Sequence, residues 1–196
     1  MDKTLNELID DNNGYLIASI AIKNGYSRQS VLYHAKKNNM QRISKGIYAK
    51  KDVWVDDLFC TYLNNQEIIY SFQTSLYLNG LMEREPAFTD VTVKYGYNAT
   101  HLKKRGLIIH TSIDRLFQLG VKPIKTSFGN IVNSYDMERT ICDIVKNKEK
   151  IDIQVFNYAL NEYVKRKDKR IPTLLEYASK LKVLDQIKMY LEVLLW

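Results

Sequence analysis

The chain has 196 residues, of which 45% are hydrophobic and 26% charged, with three prolines and eight glycines. This is ordinary globular composition for one large domain or two small ones, and it argues against long disordered linkers. No stretch nears the roughly 18 apolar residues of a membrane span, and the polar start at Met1 has no apolar run behind it of the kind a signal peptide carries.

The formal net charge of +7 is unevenly spread. Residues 1–50 hold eight basic and four acidic residues, 51–145 ten and eleven, and 146–196 eleven and seven. Positive charge at both ends suits a polyanionic partner and speeds its encounter. Cys60 and Cys142 lie far apart without metal-ligand spacing, so they read as buried, reduced thiols of a cytoplasmic protein.

Thr4 and Glu7 stand at capping-box spacing, and Leu5, Leu8 and Ile9 form a helical stripe that Gly14 ends. Residues 17–31 then carry a helix-turn-helix. A small residue at Ala21 permits close helix approach, Gly25 supplies the positive φ of the turn, Val31 fills the angle between the helices, and Ser27 stands at the N-cap. Counting roughly 100° per residue, the second helix gathers Val31, Leu32 and Ala35 on one face and Gln29, Ser30, Tyr33, His34 and Lys37 on the other. No Asp or Glu occurs from 12 to 51. A solvated helix mixes both signs of charge, whereas a phosphate-facing one does not. Arg28 is placed to reach a guanine edge or a phosphate, and Lys36, on the flank, the backbone. The bland alternative is a helical hairpin used only for packing.

Residues 40–50 read as two short strands around Ser44, Lys45 and Gly46, with Ile43, Ile47 and Ala49 apolar and Arg42, Lys45 and Lys50 basic. A basic hairpin after a recognition helix is a wing, expected on the minor groove or the sugar-phosphate backbone. The alternative, compatible with the first, is a plain β-hairpin that closes a small core.

Beyond a joint at 50–57, Asp56 and Asp57 are placed to cap a helix through Leu58, Tyr62 and Leu63. Ser71 caps another, over 72–79, stopped by Gly80. Residues 88–95, 107–111 and 124–135 read as extended, the last folding back at Gly129 and Asn130. Helices are expected at 136–147, 152–167, 172–181 and 185–195. The fold class is therefore α+β: a winged helix-turn-helix domain over 1–52 and a mixed α/β domain, a small sheet with several helices, over 53–196.

In the segment 136–145, Asp136 caps, Glu138 lies near the positive end of the helix dipole, and Arg139 and Asp143 are spaced to pair across one turn. A helix start that organises the domain is the stronger reading. A catalytic Glu/Asp pair is the alternative, although no nucleophile or metal ligand accompanies it. The cluster Lys165, Arg166, Lys167, Lys169 and Arg170, and the smaller patch Lys103, Lys104 and Arg105, are explained either by helix dipoles or as second phosphate contacts. His34, His101 and His110 lack zinc-ligand spacing, and no phosphate loop, dinucleotide fingerprint or nucleophile elbow occurs. No cofactor, metal or enzymatic activity is expected.

Three motifs together, the helix-turn-helix with its wing residues Lys45, Gly46, Ile47 and Tyr48, the 71–81 segment and the 135–143 segment, give the whole chain a resemblance to the AbiEi family. These are antitoxins of abortive-infection type IV toxin–antitoxin systems. The resemblance implies a phage-resistance role with two jobs. The N-terminal domain would bind inverted repeats in its own promoter and repress transcription. The C-terminal domain would oppose a nucleotidyltransferase-like toxin without a stable direct complex. Two other classes compete with this expectation: a nuclease-like enzyme using Glu138, Arg139 and Asp143, and a protein-interaction module docking a toxin on its basic C-terminal helices.

Overall fold

The computed structural model describes residues 3–194, and the expected end of the last helix at residue 195 lies outside them. The fold is α+β, with two small sheets and two compact units. One unit runs to Gln66 and includes Lys125–Ile131; the other comprises Glu67–Ile124 and the chain from Val132 onward.

The first unit opens with α1 (Leu5–Asp11), where the capping box forms in both directions: Glu7 donates its backbone N–H to Thr4 Oγ1, and Thr4 its own to Glu7 Oε2. Then come β1 (Tyr15–Ile17), α2 (Ala18–Lys23), α3 (Arg28–Lys37), β2 (Gln41–Ser44), β3 (Ile47–Ala49) and α4 (Asp57–Asn64). Leu5, Leu8, Ile9, Leu16, Ala21, Val31, Ala35 and Tyr48 make one buried cluster. This is a winged helix-turn-helix whose wing has a third strand: β1 pairs antiparallel with β3, Leu16 opposite Tyr48, and β3 pairs with β2. The sequence placed Ile17 in a helix. Three residues buried on both faces show no alternation, so this strand has no visible period.

The boundary at 52/53 is corrected by Asp56. It caps α4 by accepting from Phe59 N at 3.0 Å, and its other oxygen accepts from Thr126 Oγ1 at 2.6 Å and Asn130 Nδ2 at 2.8 Å. Tyr15 Oη accepts from Asp56 N at 2.8 Å, and burial pushes that hydroxyl up to about 12. Residues 53–66 and the hairpin tip at 126–130 are therefore tied into the N-terminal unit. Asp56→Ala removes a cap and strips two buried donors of their acceptor, so a loss of about 3 kcal/mol is expected in urea unfolding.

The second unit carries β4 (Ile69–Tyr70), α5 (Phe72–Leu78), β5 (Asp90–Lys94), α6 (Thr100–Lys104), β6 (Ile108–Ser112), α7 (Asp114–Phe117), β7 (Val121–Lys125), β8 (Ile131–Tyr135), α8 (Met137–Lys146), α9 (Ile153–Lys165), α10 (Ile171–Leu181) and α11 (Leu184–Leu194). The sheet order is β6-β5-β4-β8-β7, with β4–β5 antiparallel and both β4–β8 and β5–β6 parallel. Helix α8 is buried from Met137 to Val145, packed among α5, α9 and α10. Its polar residues must therefore be paired internally. Arg139 Nε donates to Asp143 Oδ2 at 2.9 Å, and burial nonetheless pushes the Asp143 carboxyl above its ordinary range.

The segments 71–81 and 135–143 interlock through buried polar groups. Ser75 Oγ lies 2.6 Å from Thr140 Oγ1 and donates to Tyr135 O at 3.0 Å, while Asn79 Nδ2 donates to the same carbonyl at 2.9 Å. Ser71 occupies the N-cap position of α5 but makes no side-chain cap bond; its hydroxyl is buried without a partner.

Candidate nucleic-acid interface

The turn before α3 has the geometry its residues dictate. Gly25 takes φ +86°, and Ser27 Oγ accepts from Ser30 N at 3.1 Å and lies 2.9 Å from Ser30 Oγ. Ala21, Val31 and Ala35 are buried between α2 and α3. That packing turns Arg28, Gln29, Ser30, Tyr33, Lys36 and Lys37 outward, all exposed, with Tyr33 at 68%. Arg42 on β2 and Lys45 at the wing turn are exposed as well. No carboxylate among the described residues pairs with Arg28, Lys36, Lys37, Arg42 or Lys45. Lys50, the third basic wing position, is instead held by Asp10 at 2.9 Å.

Two positions on α3 depart from the helical wheel. Leu32, expected inward, is 47% exposed. Val31 and Ala35 suffice to fill the narrow contact with α2, and Leu32 looks instead into a cleft of about 510 Å³ between the start of α2, α3 and the wing. Ile22, Arg28, Arg42 and Lys45 line the same cleft. Sequence reasoning missed Ile22 and Leu32 because apolar side chains on a helix read as core. His34, expected on the open face, is half-buried with Nε2 enclosed and unpartnered.

Burial, with Lys37 adding to it, holds the His34 imidazole below its ordinary value of 6.5. The unfolded chain therefore binds the proton first. The stability His34 contributes is present above pH 6.5 and is lost as the pH falls through the depressed folded value. Melting temperatures are expected to decline between pH 7.5 and 5, with His34→Gln flattening the decline. An unchanged slope in the variant would contradict this environment.

The second basic cluster is mostly paired. Arg166 pairs with Asp168 at 2.8 Å, Lys165 with Glu162 at 2.8 Å, and Lys169 Nζ donates to Arg166 O at 3.0 Å. Arg170 bridges two buried carboxylates, Asp136 at 2.8 Å and Glu138 at 2.7 Å. Arg170 is thus consumed in holding the start of α8, and Lys165, Arg166 and Lys169 in bonds within their own segment, while Lys167 is exposed with no described bond of its own. Lys103, Lys104 and Arg105 are exposed at the end of α6. Glu138, offered above as a catalytic group, is fully buried and also accepts from Arg170 N at 2.9 Å, so it is closed to a substrate. No group of His, Cys, Asp and Glu among the described residues is arranged to hold a metal ion. No described helix is long and apolar enough to cross a membrane.

No family model matches the chain, and no curated protein matches it. Among solved structures it is similar to the crystal structure of the RV2827C protein from Mycobacterium tuberculosis, with a TM-score of 0.57, 10% sequence identity, and coverage of 89% of this chain and 69% of that one. At that identity the likeness is one of fold.

Proposed function

We propose that the chain is a sequence-specific DNA-binding autorepressor that lays α3 in a major groove and the wing on the neighbouring backbone. One observation carries the reading: the outward side of α3 and the wing present five exposed cations with no described carboxylate paired to them. An α-helix fits the B-DNA major groove, where Gln29 matches an adenine edge and Arg28 a guanine edge. Leu32 and Ile22 offer apolar surface suited to a thymine methyl. Arg42 and Lys45 supply position rather than sequence information.

The antitoxin role rests on the family resemblance. In this reading the C-terminal unit opposes a nucleotidyltransferase-like toxin without holding it in a stable complex. Co-purification of the two proteins at moderate salt would favour a docking module instead.

The test is a competition between the duplex upstream of the reading frame and a scrambled duplex of the same length. At physiological salt the upstream duplex is expected to bind at least ~1,000-fold more tightly. Equal affinity for both overturns sequence-specific repression. Deletion of residues 1–50 is a poor substitute, because it cuts through a unit that extends to Gln66 and includes Lys125–Ile131.

A further inference from the structure

The C-terminal unit contains a polar cavity, of about 500 Å³, between strands β5 and β6 and the end of α8. One wall is His110, opposite Thr92 in the parallel pair, with its Nε2 2.7 Å from Asp90 Oδ1. An ionised carboxylate only accepts, so Nε2 carries the proton and Nδ1 keeps its lone pair until the ring is doubly protonated. Asp90 is 4% exposed, whereas the His110 side chain is 28% exposed. The Phe72 ring stacks on the imidazole at 3.8 Å. Phe72 itself sits at φ +46°, a left-handed conformation rarely taken by a bulky residue and one that concentrates at ligand sites.

The other wall comes from α8 and the turn after it: Arg139, Asp143, Lys146, Asn147 and Lys150. Arg139 donates to Asp143, Leu116 O and Leu119 O through Nε and Nη1, leaving Nη2 without a described acceptor. Asp143 is neutralised by Arg139, and Asp90 faces His110. Lys146 and Lys150 are exposed and pair with no described carboxylate. The cavity thus carries an excess of cationic donors over carboxylates, and the half-exposed Ile113 gives its rim an apolar side.

We propose that this cavity binds a small organic phosphate, its phosphate group held by Lys146, Lys150, Arg139 and His110. Three cationic side chains, joined by His110 Nδ1 only when the ring is doubly protonated, match the acceptor-only oxygens of a phosphate ester. The volume lies in the range of small-molecule pockets and exceeds what inorganic phosphate fills, which leaves room for an organic moiety against Ile113. The site lies wholly in the C-terminal unit and does not depend on the DNA-binding reading.

The probes are inorganic phosphate, adenosine 5′-monophosphate and uncharged adenosine, titrated into the full chain with calorimetry and with NMR of the His110 ring protons. Saturable binding of the nucleotide, at least tenfold tighter than inorganic phosphate or adenosine, with a shift of the His110 resonances, is expected. The double variant Lys146→Gln, Lys150→Gln should weaken nucleotide binding at least tenfold at an unchanged melting temperature, and Lys103→Gln, Lys104→Gln should leave it unchanged. Equal binding of inorganic phosphate and nucleotide overturns the organic part of the proposal. Absence of saturable binding at 10 mM, a silent His110, or full affinity in the Lys146/Lys150 variant overturns the site.

Discussion

On the proposed DNA-binding reading, raising the salt from about 50 to about 200 mM is expected to lower the affinity of the full chain for the duplex upstream of its reading frame roughly 500-fold, the loss for about five neutralised phosphates. Arg28, Lys36, Lys37, Arg42 and Lys45 are the five cations on the proposed face that stand outside any described ion pair. Each phosphate they neutralise releases condensed counterions, and the entropy of that release shrinks as the bulk salt rises. A symmetric pair of chains on inverted repeats would steepen the slope further. Arg42→Ala or Lys45→Ala in the wing should reduce the slope by about one contact and weaken all duplexes evenly. Fluorescence anisotropy across the salt series reads this directly. Affinity that changes less than about threefold over the range would mean that the cations are not on the phosphates.

Arg139→Ala is expected to destabilise the C-terminal unit by about 3–5 kcal/mol, a large part of the roughly 5–15 kcal/mol that holds a typical domain folded. Arg139 is 3% exposed. It pairs with Asp143 at 2.9 Å, donates to the carbonyls of Leu116 at 2.6 Å and Leu119 at 3.0 Å, and lies 4.3 Å from the centre of the Tyr135 ring. Truncation leaves the buried Asp143 carboxylate and the Leu119 carbonyl without a described donor, and strips Leu116 O of its 2.6 Å bond. Arg139→Lys should recover little, because an ammonium cannot spread over three acceptors and a ring as a planar guanidinium does. Arg139→Met combined with Asp143→Leu should recover more than Lys, since an apolar pair leaves no orphaned charge. Urea unfolding followed by circular dichroism measures all three variants. A loss below about 1 kcal/mol for Arg139→Ala would show that the network contributes little.

The parts of this fold written in local chemistry were legible in the sequence. The capping box at Thr4 and Glu7, the positive φ at Gly25, the cap at Ser27 and the Asp136 start of α8 all follow from interactions within a few residues. The long amphipathic helices α9 and α10 fell close to their expected bounds for the same reason. Strands β1 and β4, of three and two residues, are too short to show a period. Helices α6 and α7, at five and four residues, do not complete an amphipathic stripe.

The open face of α3 was legible because charge and spacing agree there, but two of its details were not. Leu32 and His34 lie at the edges of the apolar stripe, where roughly 100° per residue does not decide between the core and a cleft. Partners distant in sequence left no local trace either. Nothing near Arg170 signals that it closes on Asp136 and Glu138, 34 and 32 residues away. Nothing near His110 signals Asp90, because their contact is created by the parallel pairing of β5 and β6.

A gel shift with Arg28→Ala and Lys37→Ala tests most directly whether the outward side of α3 meets a duplex. Both side chains are exposed and bonded to no described group, so the variants should melt with wild type. Each is expected to bind the upstream duplex about tenfold more weakly, the double variant about a hundredfold, and Arg28→Ala should also relax discrimination at one base position. A double variant that melts normally and shifts the upstream duplex as well as wild type does would contradict the account.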